Sequence, residues 1–269
     1  MRSGVVPELH ATFLRNAIER LEQDSRIVGV AAGGSYASHS MDEFSDLDLV
    51  IAVEATAYET VLRERRKIAG DLGTLLAAFT GEHVDEPRLL ICLYGPLPRL
   101  LHVDLKFVTL VDLAVRVENP TVLWERDGRV TTALRVGEAR YPTPDLQWIE
   151  DRFWTWVHYA ASKVGRGELF EAIDFLGFLR SRVLGPLALA ASGAAPSGVR
   201  KLEASAPRYL SAMQATIAGY APSSCVAALR ASVDLYRALR ATLAPGAVRV
   251  NSEAEAAAVA YLADITARQ

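Results

Sequence analysis

The sequence predicts an α+β chain in two parts: an N-terminal mixed β-sheet with packed helices over residues 1–140, and a C-terminal all-α bundle over residues 141–269. Three observations predict it. Short apolar runs rich in β-branched residues recur through the first half, beginning with Ile27-Val28-Gly29-Val30-Ala31-Ala32 and Leu49-Val50-Ile51-Ala52-Val53. Tyr141-Pro142-Thr143-Pro144 then bars both helix and central strand. Beyond it strand signals vanish, and long stretches of helical periodicity follow.

Composition bounds the class. The 269 residues allow one large or two modest domains, and 51% hydrophobic with 23% charged residues is an ordinary globular balance. The net charge of −3, with no basic block or arginine stripe, argues against long nucleic acid as a partner. Two cysteines far apart on apolar segments, Cys92 and Cys225, read as buried free thiols. The first thirty residues lack a secretory pattern, and no apolar run is long enough to span a bilayer. The expectation is a soluble cytoplasmic protein, with oligomeric state left open.

Taken in order, residues 6–23 read as an amphipathic helix with Leu9, Phe13, Leu14, Ala17, Ile18 and Leu21 on one stripe. A buried strand over residues 27–32 ends at Gly33-Gly34-Ser35, where two glycines permit a sharp bend that presents N–H groups and a hydroxyl. After a polar segment, a second strand opens with Asp46-Leu47-Asp48. Strand alternation puts Asp46 and Asp48 on one face and Leu47 and Leu49 in the core. Residues 55–79 carry helical spacing closed by Gly81, with Arg63, Arg65, Arg66 and Lys67 as a solvated basic face.

Residues 89–94 and 100–110 read as a hairpin joined by Gly95-Pro96-Leu97-Pro98-Arg99. In its second strand His102, Asp104 and Lys106 share one face; His102 reads as hydrogen-bonded packing and Lys106 as a structural ion pair. Arg126-Asp127-Gly128 between two apolar runs reads as a hairpin turn supplying the last sheet edge. In the second half, helices are expected over residues 145–165, 168–184, 208–217 and 222–243. Ser252-Glu253-Ala254-Glu255 looks like a capping box for a final helix.

Paired carboxylates on a strand repel unless a cation sits between them, and Mg²⁺ prefers such oxygen ligands together with substrate phosphates. If the strand of Asp104 lies beside that of Asp48, the three acids suit two metal ions in a phosphoryl transfer. An EF-hand over residues 42–48 is excluded: no glycine holds the turn position, and an apolar strand follows. Gly34-Ser35, the eleven-residue step to Asp46, then Asp48 and a hydrophobic-flanked Asp104 resemble the signature of the nucleotidyltransferase superfamily. The closest likeness is to small bacterial enzymes that transfer AMP to aminoglycosides and lincosamides.

The resemblance covers roughly the first 130 residues well and the remainder loosely. It implies that Gly34 and Ser35 hold the triphosphate of ATP or another nucleoside triphosphate. It also implies that Asp46 and Asp48 bind two Mg²⁺ ions, and that Asp104 completes a metal site and takes or orients the proton. Relatives carry an Arg-Gly pair where this chain has Ser38-His39, a departure that touches the donor nucleotide. In the second half, Lys163-Val164-Gly165-Arg166-Gly167-Glu168 resembles the Lys-x-x-Arg-Gly-Glu turn of antibiotic nucleotidyltransferases, implying a nucleotide contact for Lys163. Its structural alternative is a helix C-cap.

The helical half is expected to close on the nucleotide and hold a small-molecule acceptor, with Trp148, Arg152, Thr155, Tyr159 and Lys163 on one helix face. Two other readings stand beside this one. The first is a protein-modifying or antitoxin-type nucleotidyltransferase, and the second a non-catalytic nucleotide-binding module.

Overall fold

A computed structural model describes residues 6–95, 99–243, 246 and 248–268. The chain divides into two units, Met1–Tyr141 and Pro142–Gln269.

The first unit opens with α1, Glu8–Leu21, which starts after Pro7 because proline's missing N–H costs nothing at a helix start. β1 (Ile27–Ala32) follows, then a four-residue helix α2 (Gly34–Ala37), β2 (Leu47–Val53), α3 (Tyr58–Asp71), β3 (Leu75–Gly81), β4 (Glu86–Tyr94), β5 (Leu101–Thr109), β6 (Thr121–Glu125) and α4 (Arg129–Val136). The six strands lie in the order β3-β4-β5-β2-β1-β6. Only β2 and β5 run parallel; the other pairs are antiparallel, so the sheet is mixed as expected.

Alternation along β2 and β5 decides which residues reach the core. Leu47, Leu49 and Ile51 of β2 and Val103, Leu105 and Phe107 of β5 are buried against α1 and α3, meeting Phe13, Leu14, Val61 and Ile68. Each such side chain contributes roughly 1.5–3 kcal/mol by leaving water. Tyr94 closes this core, its hydroxyl donating to the Ala69 carbonyl at 2.8 Å and its ring 4.7 Å from Phe13. The intervening residues, Asp48 on β2 and His102, Asp104 and Lys106 on β5, therefore face the other side of the sheet, where α4 packs near Val28, Ala52 and Val108 with Val50 and Val122 beside them.

Two expectations fail here. The helix expected over residues 55–79 stops at Asp71; Leu72-Gly73-Thr74 breaks it, and Leu75–Gly81 turns back as edge strand β3 against β4. Asp127 and Gly128 do adopt the left-handed conformations of a tight turn, with φ of 53° and 68°, yet α4 follows instead of a returning strand. Its first-turn amide is taken by the end of β6, since Thr131 N–H donates to the Glu125 carboxylate at 2.8 Å. The β4–β5 connection is read from Gly95 and Arg99 only, because Pro96, Leu97 and Pro98 lie outside the described residues.

The second unit is helical: α5 (Leu146–Gly165), α6 (Leu169–Leu179), α7 (Gly185–Ala190), α8 (Leu202–Ser205), α9 (Leu210–Ala215), α10 (Pro222–Leu243) and α11 (Ser252–Ala267). The helix expected over residues 168–184 passes into a π-helical stretch, Arg180–Leu184, just before Pro186, which lacks an amide hydrogen. The capping box expected at Ser252 is displaced by one residue: Asn251 is the N-cap and accepts from Ala254 N–H at 3.1 Å. At the centre, Phe153 stacks on Tyr236 at 3.8 Å. Beside them the buried Glu150 accepts from Tyr236 Oη (2.6 Å), Trp154 Nε1 (3.0 Å) and Arg240 (2.9 Å). Cys92 and Cys225 are free and buried, and burial pushes the Cys92 thiol up to about 11. Among the described residues, no helix is long and apolar enough to cross a membrane.

Candidate active site

The site is set by one register. β2 and β5 are parallel neighbours with Asp48 directly opposite Asp104. Paired residues of adjacent strands point to the same face, their Cα atoms about 4.8 Å apart. Asp46 sits one residue ahead of β2, between an ordered turn and the strand. In that turn Asp42 Oδ1 accepts from Phe44 N–H and Ser45 Oγ, both at 3.0 Å.

The glycine-serine bend is tied to the same strand. Gly33 N–H donates to the Asp48 carbonyl at 2.8 Å. Gly34 has φ of 54°, in the left-handed region, and a Cβ there would meet Asp48 Oδ2 at 2.0 Å. Glycine is required twice over, by backbone conformation and by the carboxylate lying on it. Ser35 Oγ is buried and has no hydrogen-bond partner. His39 has φ of 52°, in the left-handed region that non-glycine residues seldom adopt.

Two contacts at the site carry no local sequence signal. Glu118, in the loop before β6, accepts from Gly34 N–H through Oε1 at 2.7 Å, placing an anion on the bend. His10, on α1 and 2% exposed, contacts the Ser45 carbonyl through Nε2 at 2.7 Å. Their partners lie 84 and 35 residues away in sequence, which is why no motif reveals them.

The neighbours of Asp104 are polar on its own face. His102 Nε2 lies 3.0 Å from Asp104 Oδ1, so this histidine is hydrogen-bonded as expected, to the acid itself. Lys106 pairs with Glu86 at 2.7 Å, and Arg88 pairs with both Glu86 and Asp112. Arg88, then Lys106, hold the Glu86 carboxyl down to about 2 against the opposing effect of burial. Arg116 fastens the loop that carries Glu118, donating to Asn119 Oδ1 and to the carbonyls of Leu113, Leu134 and Gly137.

The donor set of Asp46, Asp48 and Asp104 is all carboxylate oxygen, the chemistry of a hard divalent cation, and the unpartnered Ser35 hydroxyl beside it suits a phosphate oxygen. Among the described residues, however, no three His, Cys, Asp or Glu side chains form a group able to hold a metal ion. Asp48 lies over Gly34 and Asp104 reaches His102. Since the strands already place the two Cα atoms side by side, convergence needs rotation of these side chains. Their carboxylate chemistry suits a divalent ion, and the strand register sets Asp48 opposite Asp104.

Lys163 lies in the second unit, where it pairs with Glu168 at 2.7 Å and Glu171 at 3.1 Å; both acids hold its ammonium well above the usual lysine range. The turn after it is a Schellman cap: Glu168 N–H donates to the Lys163 carbonyl, Gly167 N–H to Val164, and Gly167 has φ of 73°. On the same helix face Arg152 lies 4.2 Å over the exposed Trp148 ring and Lys163 5.1 Å from Tyr159.

The family model described as a nucleotidyltransferase domain matches residues 14–85, spanning most of α1 through β3 and including Ser35, Asp46 and Asp48 but not Asp104. Residues 14–85 thus match a nucleotidyltransferase domain, and the enzyme class that goes with that match is nucleotidyl transfer.

Among solved structures, an aminoglycoside 6-adenyltransferase from Bacillus subtilis is similar at 16% identity, over 97% of this chain and 99% of that one, with a TM-score of 0.44. A nucleotidyltransferase-like protein from Exiguobacterium sibiricum is similar at 11% identity over 86% of this chain and 76% of that one, with a TM-score of 0.40. No curated protein matches the chain significantly.

Proposed function

We propose that the protein transfers a nucleoside monophosphate, AMP from ATP, to a hydroxyl of a small molecule, with an aminoglycoside-like compound as the acceptor class to test first. The observation that carries this reading is the in-register pair Asp48–Asp104 beside a glycine-serine bend whose serine hydroxyl is buried and unpartnered. Asp46, Asp48 and Asp104 would hold Mg²⁺, which when bound neutralises the triphosphate and makes the acceptor hydroxyl easier to deprotonate.

The chain's own groups divide the remaining work. Ser35 Oγ and the backbone of the bend bind phosphate oxygens. Gly34 N–H becomes available once Glu118 swings away. Asp104 takes or orients the acceptor proton, with His102 fixing its carboxylate. By the resemblance of its turn Lys163 is a candidate nucleotide contact, and its ammonium is already paired with Glu168 and Glu171.

Incubation with ATP, Mg²⁺ and a panel of amino-sugar and other hydroxylated acceptors tests the proposal, reading pyrophosphate release and the intact mass of each acceptor. A nucleotidylated acceptor with matching pyrophosphate supports it. ATP binding without pyrophosphate from any acceptor favours the binding-module reading, and label appearing on protein favours the protein-modifying one.

A further inference from the structure

We infer that His10 is a positioning residue for Asp46, setting the carboxylate that the proposed nucleotidyl transfer needs for its divalent cation; the inference rests on that proposal. The imidazole is buried on α1, and its Nε2 lies 2.7 Å from the carbonyl oxygen of Ser45. A carbonyl can only accept, so Nε2 carries the hydrogen. The other ring nitrogen, Nδ1, is buried with no hydrogen-bond partner. A side chain present only to fill the core leaves no such orphan, which is costly in an apolar surrounding. The hydrogen bond to Ser45 is what distinguishes histidine here.

The contact bears on Asp46 through covalent geometry. The Ser45 carbonyl and the Asp46 amide belong to one rigid peptide plane, which ends on the Asp46 Cα. The other polar groups of Ser45 are already engaged with Asp42: its N–H donates to the Asp42 carbonyl at 3.2 Å, and its hydroxyl contacts Asp42 Oδ1 and N–H at 3.0 Å. The carbonyl is the group left for His10. On the far side Leu47 is fully buried and paired with Val103. The Asp46 Cα thus lies between two neighbours that are each held in place. His10 lies ahead of residues 14–85, outside the segment that matches the nucleotidyltransferase family model.

The test compares wild type with His10→Phe, His10→Gln and His10→Asn, and with Asp46→Asn as reference. Mn²⁺ alone is titrated into each folded protein and followed by electron paramagnetic resonance, and transfer is measured over a range of metal concentrations. His10→Phe fills the space without a donor. It is expected to weaken Mn²⁺ binding, by less than the roughly 10–100-fold that losing a direct partner of a ligand costs, and to raise the metal concentration for half-maximal transfer equally. The KM for ATP at saturating metal stays put. His10→Gln, which retains an N–H donor, restores most of the loss.

If His10→Phe does not fold, His10→Asn, too short to reach Ser45, takes its place with the same expectation. A folded donor-less variant that binds Mn²⁺ like wild type overturns the role of His10 while leaving the transfer reading intact. Wild type and Asp46→Asn behaving alike in Mn²⁺ binding and transfer overturns the metal reading of Asp46, and this inference with it.

Discussion

Gly34→Ala is the substitution on which the site geometry makes its sharpest demand. Alanine at φ of 54° costs roughly 1–2 kcal/mol in backbone strain. For a unit of this size that is a Tm fall of roughly 3–8 °C. The new methyl would also stand 2.0 Å from Asp48 Oδ2, whereas ordinary contact begins at 3.4 Å, so the carboxylate must move by about 1.4 Å. A misplacement on the order of 1 Å at a reacting centre costs on the order of 100-fold in rate. Gly128→Ala is the matched control: its φ is 68°, but its Cβ meets nothing within 4 Å. Both variants should lose similar stability by calorimetry, and only Gly34→Ala should lose transfer activity. Equal activities of the two folded variants would refute the claim that the Gly34 bend and Asp48 belong to one reacting centre.

Three further outcomes follow from other contacts. Glu150→Ala, by leaving the buried Tyr236 and Trp154 donors unpartnered and Arg240 with Glu255 alone, should cost roughly 3–5 kcal/mol in chemical denaturation of the helical unit. The Glu86 carboxyl, depressed to about 2 by Arg88 and then Lys106, stabilises the first unit fully above the ordinary carboxylate pKa near 4.5; that contribution is lost as pH falls toward 2. Glu86→Gln should accordingly flatten the acid limb of a stability-versus-pH curve. Glu118→Gln removes the anion resting on Gly34 N–H and should tighten ATP binding by about 1 kcal/mol, roughly fivefold by titration calorimetry.

What the sequence discloses, and what it hides, divides by range of interaction. The apolar alternation of Leu47 to Val53 and Leu101 to Phe107 is a local pattern, and it fixed both strands and the face carrying Asp48 and Asp104. Their adjacency is a matter of strand order and was open until β5 was seen beside β2. Residues 75–79 carry helical spacing because Leu-Leu-Ala-Ala has no β-branched residue; pairing with β4, a long-range contact, overrides their weak local preference. The turn at Asp127-Gly128 has hairpin chemistry, but the acid that converts its exit into a helix, Glu125, acts through a side-chain cap. Glu118 and His10 show only in three dimensions, since each touches backbone far along the chain.

The central claim, that Asp48 and Asp104 form one reacting centre across β2 and β5, is tested most directly by pyrophosphate release from ATP and Mg²⁺ in the presence of a productive acceptor. Asp104→Asn, which keeps side-chain volume and strand pairing, should retain the wild-type melting profile and lose 10²–10⁴-fold in rate, the range for removal of a general base. A folded Asp104→Asn protein that turns over at the wild-type rate would contradict it.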